Sequence, residues 1–160
     1  MMPTPGRPSR RRALRRIFGT LAWTSLAFPA GLAAADLPVI KLSVGKHYLT
    51  VEVAHNESAR ARGLMYRRIL PEHRGMLFVF PDTARHGMWM MNTYVPLSVA
   101  FLDGDGTIIN IEEMVPQTRT NHVAARPAKY ALEANRGWFA KRGITPGMKI
   151  EGLGEAPFAR

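Results

Sequence analysis

Four potential soft-metal ligands fall within six residues of the segment HGMWMMNT, His86 to Thr93: His86, Met88, Met90 and Met91. Thioether and imidazole groups suit Cu(I), so soft-metal binding is the first chemistry to weigh. An extended backbone works against it. The pleat sends Met88, Met90 and Asn92 to one side and Trp89, Met91 and Thr93 to the other, so one ion could not easily gather all three sulfurs. Methionine also fills irregular cores, and Trp89 can pack against sulfur. The favoured reading is a core strand covered on both faces, and no metal or other cofactor is expected.

Glu133 is the second candidate. It lies in YALEAN, flanked by Leu132 and Ala134, where an apolar setting would raise a carboxyl pKa and fit it for acid or base work. The structural alternative is that it points outward or pairs with an arginine such as Arg62. Nothing else supplies catalytic machinery: there is no G-x-S-x-G, no H-E-x-x-H, no phosphate-cradling glycine loop and no histidine pair at ligand spacing. The absence of cysteine excludes disulfides, thiolate zinc sites and a cysteine nucleophile. The acidic turn DGDGTIINIEE departs from a calcium loop, with Ile108 at its sixth position and Met114 at its twelfth.

The elements that must hold these residues are short. Period-two runs in LPVIKLSVGKHYLTVEVAH predict a hairpin about Gly45. Asn56 or Ser58 can cap a helix over ESARARGLMYRRIL, ended by Pro71. GMLFVF suits a strand buried on both faces. LSVAFLDGDGTIINIEEM reads as a hairpin turning at Asp103 to Gly106, and PAKYALEAN as a further strand. RGWFAKRG suits a second short helix closed by Gly143, and MKIEGL a last strand. PQTRTNHVAARP reads as a polar loop beside a ligand cleft or a passive connection. The expected fold class is α+β: a small single domain with a curved, mainly antiparallel, barrel-like sheet, two short helices and mostly hairpin connections, with no long crossover.

Charge and leader bound the setting. The chain has 160 residues and a formal net charge of +10. Six arginines (Arg7, Arg10, Arg11, Arg12, Arg15 and Arg16) precede the apolar stretch IFGTLAWTSLAFPAGLAAA, which ends in Ala33-Ala34-Ala35. This reads as a secretory signal peptide over residues 1–35 cleaved after Ala35, with the single domain over 36–160. A periplasmic or secreted location is expected, with membrane contact only through the signal segment if it stays uncleaved. The export route, general or twin-arginine, is left open. Residues 36–160 keep 16 basic against 12 acidic residues, a net charge of about +4. Dispersed basic residues mixed with acids argue against a nucleic-acid partner.

Three ordered blocks, RARGLMYRRILPEHRGMLFVF, MWMMNTYVPLSVAFLDGDGTI and PAKYALEANRGWFAKRGITPGMKI, resemble the family called domain of unknown function 192 over about residues 57 to 150. The resemblance implies a compact α+β domain with a curved, largely antiparallel sheet and no known reaction; it makes HGMWMMNT a core strand. Relatives commonly carry a lysine where Met91 stands and an aspartate where Ser98 stands. These are expected to form an ion pair across neighbouring strands that this chain has lost together, since a stranded charge costs several kcal/mol, on the order of 3–5. The positions carried over are Arg62, Gly63, Met65, Trp89, Asn92, Thr93, Pro96, Glu133 and Trp138.

If a site exists, it is expected where Asn92 and Thr93 meet Arg62 and Glu133, with Trp138 as a further ligand contact. The leading expectation is a non-enzymatic envelope domain that binds a small molecule, glycan or protein. One alternative is an enzyme using Glu133 as acid or base with Arg62 orienting an anionic group. The other is a soft-metal binder through His86, Met88, Met90 and Met91.

Overall fold

In a computed structural model the chain is described at Met1 and over residues 37–160; the expected signal segment 1–35 lies outside the described residues apart from Met1. Strands β1 (Val39–Val44) and β2 (His47–Ala54) form the expected antiparallel hairpin. Leu42, Val44, Leu49, Val51 and Val53 turn inward from it. Helix α1 (Glu57–Arg62) follows, capped by Asn56, whose side chain accepts from the Ala59 backbone N–H at 2.8 Å.

The helix was expected to reach Leu70 and instead ends after one and a half turns. Gly63 adopts a φ of +48°, and a Cβ there would lie 3.1 Å from the Phe78 ring. The chain turns at the residue that can both enter the left-handed region and lie flat on an aromatic ring.

Strand β3 (Arg74–Ala84) runs parallel to β2, with Val51 opposite Gly75 and Val53 opposite Leu77. Hairpin connections were expected to be the majority, with no long crossover; this one connection, residues 55–73, is a crossover, short because it holds only α1 and turns. Next come β4 (Gly87–Met88), β5 (Leu97–Leu102), β6 (Ile108–Met114), β7 (His122–Val123) and β8 (Ala128–Asn135). Six strands form one sheet in the order β1-β2-β3-β8-β5-β6, and β4 pairs with β7 in a separate ribbon. Every pairing except β2 with β3 is antiparallel. The domain is thus small, with a mostly antiparallel sheet and few helices.

The sheet is open rather than closed into a barrel. The expected last strand is reduced to isolated bridges, Ser43 with Glu151 and Thr107 with Lys149, by which the C-terminal segment touches both edges of the sheet. The second expected helix is a 3-10 turn, Ala140–Arg142, closed by Gly143 at a φ of +65°.

Two cores result, one on each face. Leu77, Leu132 and Ala100 face Trp138, Phe139, Ile144 and Ile150 on one side. Met76, Phe78, Val99, Phe101 and Ala131 face Leu64, Leu70, Met90 and Val95 on the other. The three central strands, β3, β8 and β5, therefore read as continuous apolar runs because both their faces are covered.

HGMWMMNT is not a central strand. Only Gly87 and Met88 are extended, and Met91 and Asn92 form a turn in which Asn92 takes a φ of +56°. The expected ion-pair positions also lie apart. Ser98 projects to the face away from Leu97 and Val99, donating to Glu113 Oε1 at 2.7 Å and accepting from the Gly137 N–H at 2.8 Å. Met91 lies on the opposite face with Met65 and Phe78. Groups at these two positions cannot pair across the sheet.

Gly75 sits where β3 passes β8. A Cβ there would collide with the Glu133 carbonyl oxygen and stand 2.8 Å from Leu49 Cδ2. Gly75→Ala is expected to destabilise the fold by about 1–3 kcal/mol, the usual cost of overpacking, read as a lower urea midpoint; an unchanged midpoint would mean that the two strands part easily at this point.

Candidate functional site

The β8 pleat decides where Glu133 goes. Leu132 and Ala134 enter the core containing Trp138, so Glu133 turns to the other face beside its cross-strand neighbours Met76 and Val99. That face is roofed by two segments. One is α1 with the turn after it, and the other is the strap formed by residues 87–93.

The first roof segment is held by charge. Arg67 grips Glu52 of β2 through two hydrogen bonds of 2.7 and 2.5 Å, and the arginine holds the Glu52 carboxyl below its ordinary range. Two parallel charge-assisted bonds fix orientation as well as distance. Arg60 donates to the Val79 carbonyl at 3.2 Å, tying the helix to β3.

The strap is held by backbone bonds. The Ala124 N–H donates to the His86 carbonyl at 2.9 Å, and the Met90 N–H to the Thr118 carbonyl at 3.1 Å. The Gln117 N–H donates to the Thr93 carbonyl at 3.1 Å. The polar loop 115–127 thus anchors the strap. The two roof segments meet where the Tyr66 N–H donates to the Asn92 carbonyl at 2.8 Å.

Between roof and sheet lies a cavity of about 400 Å³ lined by residues 60–65, Phe78, Phe80, Gly87, Met88, Trp89, Met91, Thr93 and Glu133. Its size falls within the ordinary range for small-molecule sites. The walls are apolar. Glu133 is 3% exposed, and burial alone pushes its carboxyl up to about 8; no hydrogen bond or ion pair among the described residues reaches that carboxyl. At neutral pH the group is therefore a neutral acid that can donate one hydrogen bond and accept others.

The structure gathers some of the expected site residues and disperses others. Arg62, Thr93 and Glu133 line this one cavity. Asn92 does not: its side chain is exposed and its left-handed backbone makes the turn. Trp138 lies in the core across the sheet, edge-on to Phe139 with Arg142 4.5 Å above its ring, and so has no place among the cavity contacts.

The copper set is divided as well. Met90 is fully buried in core packing, His86 stacks on Phe80 at 3.7 Å, and only Met88 and Met91 line the cavity. Among the described residues no group of three or more His, Asp or Glu side chains stands ready to hold a metal ion.

Sequence reasoning missed Arg60, Leu64, Phe78 and Phe80 as lining residues. Their only signal was apolar burial or charge on a helix, which marks ordinary structure equally well. A second cleft of about 620 Å³, between Tyr130 and the segment 149–159, contains no buried titratable side chain.

The family model for domain of unknown function 192, described as "Uncharacterized ACR", matches residues 40–152. A crystal structure from Sinorhizobium meliloti 1021, described as a "putative transcription regulator", is 39% identical with a TM-score of 0.73, covering 76% of this chain and 99% of that one. A protein of unknown function from Novosphingobium aromaticivorans DSM 12444 is 34% identical with a TM-score of 0.70, covering 83% and 99% respectively. No curated protein matches the chain.

Two outcomes follow from the Glu133 environment. Its folded pKa is raised above the unfolded value of 4.5, so its contribution to stability is complete below pH 4.5 and is lost as pH rises through about 8, at roughly 1.4 kcal/mol per pH unit. Urea titrations at pH 5 and pH 8 should show Glu133→Gln gaining several kcal/mol on the wild type, on the order of 4; equal pH slopes would place an ionised carboxylate in the folded protein. Met91→Lys puts an ammonium into the same cavity. The Glu133 carboxyl, followed by carbon-detected NMR, should then titrate below 8, and an unmoved titration would show that the two side chains do not share the space.

Proposed function

Given that the chain belongs to the domain of unknown function 192 family, whose name carries no activity, we propose that it is an exported cell-envelope domain that binds a small molecule non-covalently in the cavity over Glu133. One observation carries the reading: a buried carboxyl without a protein partner opens onto an apolar cavity of about 400 Å³. A buried polar group left unpaired costs about 1–3 kcal/mol. A ligand that hydrogen-bonds to Glu133 offsets that cost. A cavity of this size suits a small molecule better than a protein or an extended glycan.

Export is supported by the arginine-rich start, the apolar stretch and Ala33-Ala34-Ala35. No helix among the described residues is long and apolar enough to cross a membrane. The basic residues of 36–160 are interspersed with acids, which does not make the stripe that nucleic acid requires.

One observation favours a second reading. A carboxyl that burial pushes up to about 8, in a cavity that Arg62 also lines, is suited to proton transfer, so Glu133 as acid or base with Arg62 orienting an anionic group is the alternative.

Native mass spectrometry of protein expressed from the full chain tests both. The expected result is a small-molecule adduct in the wild type that is absent from Met65→Trp, which fills the cavity while the circular dichroism stays native. An adduct that survives the filling sinks the proposal. A bound compound that wild type releases chemically altered, and Glu133→Gln releases intact, moves the assignment to the enzyme.

A further inference from the structure

The charges around the cavity are unequal in a way that selects its ligand. Four arginine–carboxylate ion pairs exist among the described residues, and Arg62 belongs to none of them. It is exposed in the last turn of α1 and lines the cavity. Its neighbour Arg60 is already committed to the carbonyls of Val79 and Arg160. Inward from Arg62 the walls are Met65, Met88, Met91, Phe78 and Phe80, and Trp89 stands at the mouth 53% exposed.

Resting on the small-molecule reading above, we infer that the cavity takes an amphipathic organic anion, its apolar or aromatic body lying among the methionines and Trp89 and its acidic group paired with Arg62.

Three features favour this class over an organic cation. A guanidinium at the entrance offers a planar pair of donors to a carboxylate or sulfonate and repels an ammonium. The floor does not oppose an anion, because Glu133 stays neutral where burial has pushed its carboxyl up to about 8. A cation could gain only by ionising Glu133 while lying close to Arg62. The net positive charge of residues 36–160 draws anions toward the surface as well. The large exposed indole of Trp89 and the polarisable sulfurs supply contact for a flat ring.

The test uses three probes that share one ring system and differ in charge: indole-3-propionate, 3-methylindole and tryptamine, titrated calorimetrically at pH 7 into protein expressed from the full chain. Indole-3-propionate is expected to bind about tenfold more tightly than 3-methylindole, the value of one partly exposed charge-assisted pair near 1.4 kcal/mol. Arg62→Gln should remove that preference, bringing the affinities of indole-3-propionate and 3-methylindole together, with circular dichroism showing the fold intact. Equal binding of the anionic and neutral probes overturns the anion inference while leaving the cavity a binding site. So does tighter binding of tryptamine, which would place an ionised Glu133 at the floor. Failure of all three probes to bind removes both the inference and the reading on which it rests.

Discussion

The parallel pairing of β2 with β3 is the constraint from which the rest of the architecture follows. Parallel neighbours cannot be joined by a tight turn, so the chain must leave the sheet, cross one face and return. Residues 55–73 make that crossing, and they supply one of the two segments that roof Glu133. Had β2 and β3 met as a hairpin, only the strap of residues 87–93 would stand above β8 on that side, and the same carboxyl would lie more open to water. The ion pair of Arg67 with Glu52 fixes how far the crossing lies from the sheet. The stop at Gly63 sets where the helix ends and the turn of Leu64 to Tyr66 begins.

Placing a carboxyl on a central strand is costly, and the fold shows how that cost is contained. β8 lies between β3 and β5, so both flanks of Glu133 are occupied by backbone, and its own face carries Met76 and Val99. Ionising the group there means transferring a charge out of water, which is why the protonated form prevails up to about 8. Hydrophobic side chains could have filled the same space with no such demand. Carboxyls perturbed this strongly by burial concentrate at functional sites.

The strap over residues 87–93 illustrates how a local pattern and a global position diverge. Its alternating methionines look like strand filling, yet the strap belongs to no main sheet. It is suspended by backbone bonds from the loop 115–127, and its side chains are divided among three settings: Met90 in the core, Trp89 at the surface, and Met88 and Met91 in the cavity wall. The histidine that made the segment look like a metal site is stacked on Phe80.

Much of the secondary structure was legible in the chain because it is encoded locally. The Gly45 hairpin, the Asn56 cap, the Asp103 turn with its side chain accepting from the Asp105 and Thr107 N–H groups, and the apolar setting of Glu133 all rest on neighbours within a few residues. Family membership was legible too, through ordered blocks that no single element could provide. What the tertiary structure alone decided was direction and company. Whether β3 runs parallel or antiparallel to β2, which face of the sheet receives Trp138 and which Glu133, and that Arg62, Met88 and Thr93 share a cavity depend on register and on a crossover. Those relations join residues tens of positions apart, where hydrophobic periodicity carries no information about partners. The sequence by itself therefore determined which residues were available for chemistry, and packing determined which of them meet.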